Sequence, residues 1–294
     1  MAKAPRSLAG KVVAITGGAR GIGRATAAAL IAQGARVAIG DIEVQLAEQT
    51  AQELAGGTTG LPLDVTDGES FESFLKAVED QLGPLDVLIN NAGIMPIGPF
   101  IDESDTTART MVDINLHGVI IGSKLALQRF LPRGQGHVIN IASIAGKAGA
   151  AHVVTYCATK HAVVGLSEAL RQELIGSGID VTVVMPVGVN TELYSGLRDL
   201  RGMKTPEPED VAASIVEALQ TGRFEVFVPR RMKAVVRLTA LLPRRIAEAV
   251  GHAMGGNETI THPDHGARAG YEARIAATIG GHEATTAERE KQAV

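Results

Sequence analysis

The chain predicts a doubly wound α/β fold, a parallel sheet with helices on both faces. Three observations carry that expectation. Short β-rich apolar runs alternate with longer helix-patterned segments up to residue 228. Several runs, "VVAIT" among them, are apolar nearly throughout, as strands covered on both faces are. Glycine-rich punctuation falls where strands hand over to helices, at 17–23 and 91–98.

The elements follow in order. "VVAIT" (12–16) is a strand that runs through a glycine turn into a helix over 22–33. "RVAIG" (36–40) precedes a helix over 43–55, and "GLPLDV" (60–65) one over 69–82. "LDVLIN" (85–90) leads to a long helix over 106–131, and "HVINIA" (137–142) to another over 154–176. "DVTVVM" (180–185), a helix over 207–221 and "FEVFV" (224–228) complete the set. No repeat and no Pro/Ser-rich linker interrupts the chain before about residue 251. One domain over 5–230 is expected, with a C-terminal extension over 231–294.

Bulk properties narrow the function. With 294 residues, 45% apolar and 20% charged, the chain has ample material for a core. A net charge of −4 argues against nucleic acid as partner, because no global positive field attracts phosphate. The one cysteine, Cys157, rules out an internal disulfide and fits the reducing cytoplasm. The N-terminal stretch lacks the apolar run of a signal peptide, and no segment of about 18 apolar residues suggests a membrane span.

"TGGARGIG" (16–23) places Gly17, Gly21 and Gly23 between the first strand and the first helix. Residues without a Cβ let backbone N–H groups approach a pyrophosphate, and the helix directs its positive end at the anion. Asp41 ends the second strand, where its carboxylate can accept from the adenosine ribose and repel a 2′-phosphate. Arg20 pulls the other way, since a guanidinium in the loop can pair with that phosphate; otherwise it is solvated or paired with Asp41. Ile42 rather than a base follows Asp41, so NAD is expected over NADP. Asp64, expected at the end of the third strand, either accepts from the adenine amino group or forms a turn.

"YCATK" (156–160) sets Tyr156 and Lys160 four residues apart, on one helix face about 6 Å from each other. Ser143, thirteen residues upstream, follows a strand expected to end at the ligand-binding edge of the sheet. A lysine cation about 4 Å from a phenol contributes about 1 kcal/mol in water and about 4 at an effective dielectric near 20. Only the second figure lowers a tyrosine by about three pKa units, so the pair is useful as a base where water is partly excluded.

Together these motifs resemble the short-chain dehydrogenase/reductase family: "TGGARGIG", "DV" (64–65), "NNAG" (90–93), Asn115 in "DINLHG", Ser143 in "IASIAG", and "YCATK", in the family's order over about 7–228. The resemblance implies a seven-stranded Rossmann sheet and a tetrad of Asn115, Ser143, Tyr156 and Lys160. Tyr156 is then the acid/base at the substrate oxygen and Ser143 its hydrogen-bonding neighbour. Lys160 lowers the tyrosine pKa and contacts the nicotinamide ribose, and Asn115 holds a water of a proton relay. It further implies cofactor contacts at Ile22, Val65, Asn91, Ala92, Gly93, Pro186, Val189 and Thr191. One departure stands out. "PVGVNTEL" has Val187 after Pro186 where the family reads glycine, and Gly188 is expected to restore the turn.

The implied reaction is hydride transfer between NAD(H) and a secondary alcohol or ketone. Its flanking segments (Ile94, Met95, Ile97, Ile144, Ala150, Val153, Leu193, with Tyr194 nearby) suggest a lipophilic substrate, and only Lys147 and His152 offer polar groups. The alternatives are an NADP-dependent carbonyl reductase, or a non-catalytic NAD-binding scaffold using its tail for partners. Cys157 reads as packing, and "HPDH" (262–265) lacks the further ligands of a metal site, so no metal is expected. Residues 229–250 form a basic amphipathic segment suited to peripheral membrane contact, a cleft cover or a subunit face. A flexible or partner-wrapping tail follows, with a weak helix around 267–279. The two long helices suggest a homo-oligomer, dimer or tetramer.

Overall fold

The computed structural model describes residues 4–253, 255 and 258–292, with side chains as far as Gly281. Seven strands form one sheet: β1 (Val12–Thr16), β2 (Arg36–Asp41), β3 (Thr59–Pro62), β4 (Val87–Asn90), β5 (Gly136–Ile141), β6 (Ile179–Pro186) and β7 (Glu225–Val228). Their order is β3-β2-β1-β4-β5-β6-β7, every pair parallel. Ile15 of β1 stands between Ile39 and Ile89, and Ile89 beside Ile139, so the central strands bring a row of isoleucines into register. The order reverses between β1 and β4, which opens a crevice at the carboxyl edge. This is the doubly wound Rossmann arrangement the sequence predicts.

The helices are α1 (Gly21–Ala32), α2 (Val44–Leu54), α3 (Gly68–Leu82), α4 (Asp105–Val112), α5 (Gly118–Phe130), α6 (Val154–Glu173), α7 (Pro208–Thr221), α8 (Met232–Ala240), α9 (Arg244–Ala253), α10 (Glu258–Thr261) and α11 (His265–Gln292). On one face Ala27 and Leu30 of α1 meet Val211 and Ile215 of α7 over the sheet. On the other, Phe71 and Phe74 of α3 pack with Ala126 and Phe130 of α5. Local signals set several ends. Asp67 accepts from the Glu69 and Ser70 amides to start α3. Glu207 and Asp210 form a reciprocal cap on α7, with Pro208 in its first turn and Gly222 left-handed after it.

Four expectations need correction. The helix foreseen over 106–131 runs from Asp105 to Phe130 but widens to a π-turn at Asp113–His117, where Asn115 is buried and Gly118 passes close to Val65. A Cβ on Gly118 would lie 3.0 Å from that side chain. The third strand stops at Pro62, and Asp64 begins a turn, accepting from the Thr66 amide and hydroxyl. The basic segment is two helices, α8 and α9, with Leu241–Pro243 between them. The tail forms a longer helix than expected, α11, which returns to the body of the protein and buries Arg268, Tyr271 and Ile275. No described helix is long and apolar enough to cross a membrane.

Candidate active site

A cavity of about 1410 Å³ runs along the carboxyl edge of the sheet, from the glycine turn to the C-terminal helices. At one end, Gly17 (φ 61°) and Gly21 (φ 52°) take left-handed conformations that L side chains rarely adopt. Gly23 does not line the cavity as expected. Its role is close packing, since a Cβ there would lie 2.4 Å from the Gly17 carbonyl. Arg20 precedes α1, and no side chain caps the helix's first amides. That turn has the features an anionic pyrophosphate needs: a Cβ-free approach and uncapped helix amides.

Asp41 lies at the end of β2, on the cavity wall, its carboxylate fixed by the Ala19 and Glu43 amides at 3.2 Å each. Burial pushes its pKa above the usual carboxylate value, and the two amides and Arg20 oppose that. Arg20 pairs neither with a solvent shell nor directly with Asp41. Its guanidinium bridges Glu43 at 2.6 Å and Glu192 at 3.3 Å. The "NNAG" loop is built into the turn. The Asn91 side-chain amide donates to the Thr16 and Gly17 carbonyls at 2.9 Å, and Thr16 Oγ1 accepts from the Asn91 and Ala92 amides. Ile22, Asp64, Val65, Asn91, Ala92, Gly93, Pro186, Val189 and Thr191 all reach the same cavity.

Farther along, β5 ends at Ile141 and delivers Ser143, while α6 delivers Tyr156 and Lys160. All three are buried, at 8%, 7% and 5% exposure. Lys160 Nζ stands 5.6 Å from the centroid of the Tyr156 ring and donates to the Ile141 carbonyl at 2.9 Å. Burial lowers the lysine pKa to about 8. Burial also drives the Tyr156 phenol well above its ordinary value, and the Ser143 hydroxyl beside it pulls the other way. Without a bound cofactor, burial rather than the neighbouring lysine sets the state of the phenol. Desolvation of groups this deep favours the neutral form of each, raising the phenol and lowering the ammonium.

Asn115 is buried in the π-turn and does not line the cavity. Its Oδ1 accepts from the Ile94 amide at 2.8 Å, and its Nδ2 donates to the Ile94 carbonyl at 2.9 Å. The side chain thus clamps the loop after β4. Gly93 is the contact between them: a Cβ there would stand 3.1 Å from Asn115 Oδ1 and 3.6 Å from Lys160 Nζ. Gly188 does not restore a left-handed turn. It makes room for the Tyr194 ring, which a Cβ would meet at 2.0 Å.

The substrate end is apolar where Ile94, Met95, Ile144, Ala150, Val153 and Leu193 line it. Ile97 packs behind them, His152 does not reach the cavity, and Lys147 is engaged by Glu168 at 2.8 Å. The extension adds polar groups to the same cavity, Thr239, Arg244, Glu248, Tyr271 and Thr278, with Arg274 at the Arg20 end beside Glu43 and Glu192. Only an apolar spacing in a polar tail hinted at this, with Tyr271 and Ile275 one turn apart. Cys157 is buried and its thiol pKa raised by that burial, a packing environment. Among the described residues no cluster of three or more His, Cys, Asp or Glu is placed to hold a metal.

The model of the short chain dehydrogenase family matches residues 11–201, a span that holds the glycine turn, Ser143, Tyr156 and Lys160. A sorbitol dehydrogenase of Cereibacter sphaeroides is 38% identical over 191 residues, 65% of this chain and 75% of that one. A 3-alpha-(or 20-beta)-hydroxysteroid dehydrogenase of Mycobacterium bovis is 39% identical over 186 residues, 63% of this chain and 72% of its own. A solved short chain dehydrogenase/reductase of Burkholderia phymatum in complex with NAD superposes with a TM-score of 0.73 at 25% identity, covering 80% of this chain and 94% of that one. Fold, motif order and matched span agree, and the chain belongs to the short-chain dehydrogenase/reductase family.

Proposed function

We propose that the protein transfers a hydride between NAD(H) and a lipophilic secondary alcohol or its ketone. Family membership carries the coarser part: an oxidoreductase acting on CH–OH groups with a nicotinamide cofactor. The observation that carries the rest is the burial of Tyr156 and Lys160, side by side, in the cavity that also holds the glycine turn.

When bound, the nicotinamide ring supplies the hydride acceptor or donor and, oxidised, a positive charge. The chain's own residues do the rest. Gly17, Gly21 and the first amides of α1 hold the pyrophosphate. Ser143 donates to the substrate oxygen, and Tyr156 exchanges a proton with it. With its pKa raised, Tyr156 is protonated at neutrality and ready as an acid for a nascent alkoxide. Acting as a base requires more positive charge nearby than Lys160 alone supplies. Asn115 acts one step removed, by fixing Ile94 and hence the loop that closes over Lys160.

NAD is favoured over NADP by charge. Asp41 and Glu43 stand together at the ribose end, and Arg20 is held between Glu43 and Glu192. A 2′-phosphate meets two carboxylates there, and both neighbouring arginines, Arg20 and Arg274, are already engaged by Glu43 and Glu192. Titration of NADH and NADPH by fluorescence tests this. Tight NADH binding with at least tenfold weaker NADPH is expected, and Asp41→Ala is expected to narrow the gap. Equal affinities refute it. Tyr156→Phe is expected to cut turnover by about 10²–10⁴ while NADH still binds. Unchanged turnover with a good substrate refutes the assignment, and tight NAD binding without turnover of any alcohol or ketone favours the scaffold reading.

Peripheral membrane contact is a second, compatible reading. Leu238, Leu241, Leu242 and Ile246 are exposed on α8, α9 and their connection, among arginines. Flotation with anionic vesicles of full-length protein against a version ending at residue 228 tests it, and equal flotation ends it. A homo-oligomer working in the cytoplasm completes the proposal, the first part open to light scattering.

A further inference from the structure

We infer that Tyr271, brought into the cavity by the C-terminal helix, is a substrate-positioning residue that donates a hydrogen bond to a second oxygen of the substrate, beyond the reacting carbon. The inference rests on the reading of the Tyr156 end of the cavity as the substrate site.

Three observations support it. Tyr271 is 8% exposed and lines the same cavity as Tyr156 and Lys160. Its hydroxyl oxygen accepts from the Met95 amide at 2.9 Å. That bond occupies a lone pair and leaves the hydroxyl proton, which has no protein acceptor among the described residues. A buried O–H that lines a cavity without an acceptor costs free energy unless something in the cavity accepts from it.

The placement of Tyr271 is enforced. Arg268, one turn before it, is fully buried. Its Nη1 donates to the Leu193 and Ser195 carbonyls at 2.9 and 3.1 Å, and its Nη2 to the Met95 carbonyl at 2.8 Å. These carbonyls belong to the two loops that flank the substrate end, one after β4 and one after β6. The guanidinium also lies 4.7 Å from the Tyr271 ring centroid. Glu272 of the same helix stands 3.4 Å from its Nε, and a shift of α11 would strip the buried guanidinium of its three loop carbonyls, which fixes helix and loops in one register. The family match ends at residue 201, so this wall of the site is supplied by the extension.

The substrate class that follows is an apolar ring or chain with an oxygen acceptor, hydroxyl or carbonyl, besides the one that reacts. The test uses the NAD complex, in which a ketone binds without reduction. Calorimetry compares 3- and 4-hydroxycyclohexanone with 3- and 4-methylcyclohexanone, on the wild type and on Tyr271→Phe. At least one hydroxyl compound is expected to bind the wild type about tenfold more tightly than its methyl counterpart, and this preference is expected to vanish in the variant. The methyl compounds control for any disturbance of the Met95 loop, because both members of a pair share it. No preference in the wild type, or the same preference in both proteins, overturns the inference. A lost preference together with no hydride transfer to any of the four from NADH overturns the proposed reaction and leaves the Tyr271 subsite standing.

Discussion

Lys160→Met is expected to abolish turnover and to stabilise the protein. Lys160 is 5% exposed, and burial holds its pKa at about 8 against an ordinary 10.5. The folded protein therefore releases this proton before the unfolded chain does. The resulting penalty on folding is complete below pH 8 and fades as pH rises from 8 to 10.5. At about 1.4 kcal/mol per tenfold, the cost at pH 7 is about 3 kcal/mol. Against it stands the hydrogen bond to the Ile141 carbonyl, whose loss leaves a buried acceptor unmatched at about 1–2 kcal/mol. Methionine fills the same volume without a charge. The balance is a gain of about 1–2 kcal/mol at pH 7, a rise of a few degrees in Tm. Urea unfolding at pH 7 and pH 10 measures it. The advantage is expected to shrink by about 2.5 kcal/mol between the two, far enough to change sign. A variant less stable than the wild type at pH 7, or a difference independent of pH, refutes the reasoning.

Two further outcomes follow from other charged groups. His137 is buried, its Nε2 2.7 Å from Thr182 Oγ1, and burial lowers its pKa to about 4. The unfolded chain binds this proton near pH 6.5 and the folded protein only near 4, so stability falls with pH across that window, by about 3 kcal/mol at pH 4. Urea midpoints measured from pH 7 to 4 are expected to show the slope, and His137→Gln to flatten it. At the cofactor end, Arg274 of α11 reaches Glu192, which Arg20 also holds. Stopped-flow release of NADH is expected to accelerate with added salt and in Arg274→Gln, and an unchanged rate in both shows that this ion-pair chain does not span the exit.

The parts legible in the sequence were those with local causes. Strand and helix alternation placed all seven strands, because runs such as "VVAIT" and "DVTVVM" have no alternative apolar period. The residues for the nucleotide and the tyrosine–lysine pair were readable because glycine without a Cβ and a four-residue helical spacing are chemistry written in one dimension. The misses have three-dimensional causes. Nothing local in "MVDINLHG" says that Asn115 will take the Ile94 backbone and that the helix will widen to a π-turn. Arg20 was weighed against Asp41, its neighbour across the turn, and found instead Glu43 and Glu192, the latter 172 residues away. The tail looked polar because its apolar residues are few, yet Tyr271 and Ile275 suffice to seat α11 once Arg268 finds three carbonyls.

The sign of the Tyr156 shift changes how the site must work. A lysine beside a phenol lowers its pKa when the pair is half solvated. Here both groups are buried, and desolvation is the largest influence on each. Both departures point toward neutral forms, so without cofactor the pair is a weak acid beside a weakly held proton. The free energy that burial stores in Lys160 is recovered only when something with compensating hydrogen bonds or charge enters the cavity. The same logic applies at the far wall, where the Tyr271 proton has no acceptor among the described residues and Arg268 holds two loops at the cost of a buried cation. Two of the three expensive groups, Lys160 and Tyr271, face one cavity, and the third fixes where Tyr271 stands. Stability is thus spent around a single space, on residues from α6 and α11.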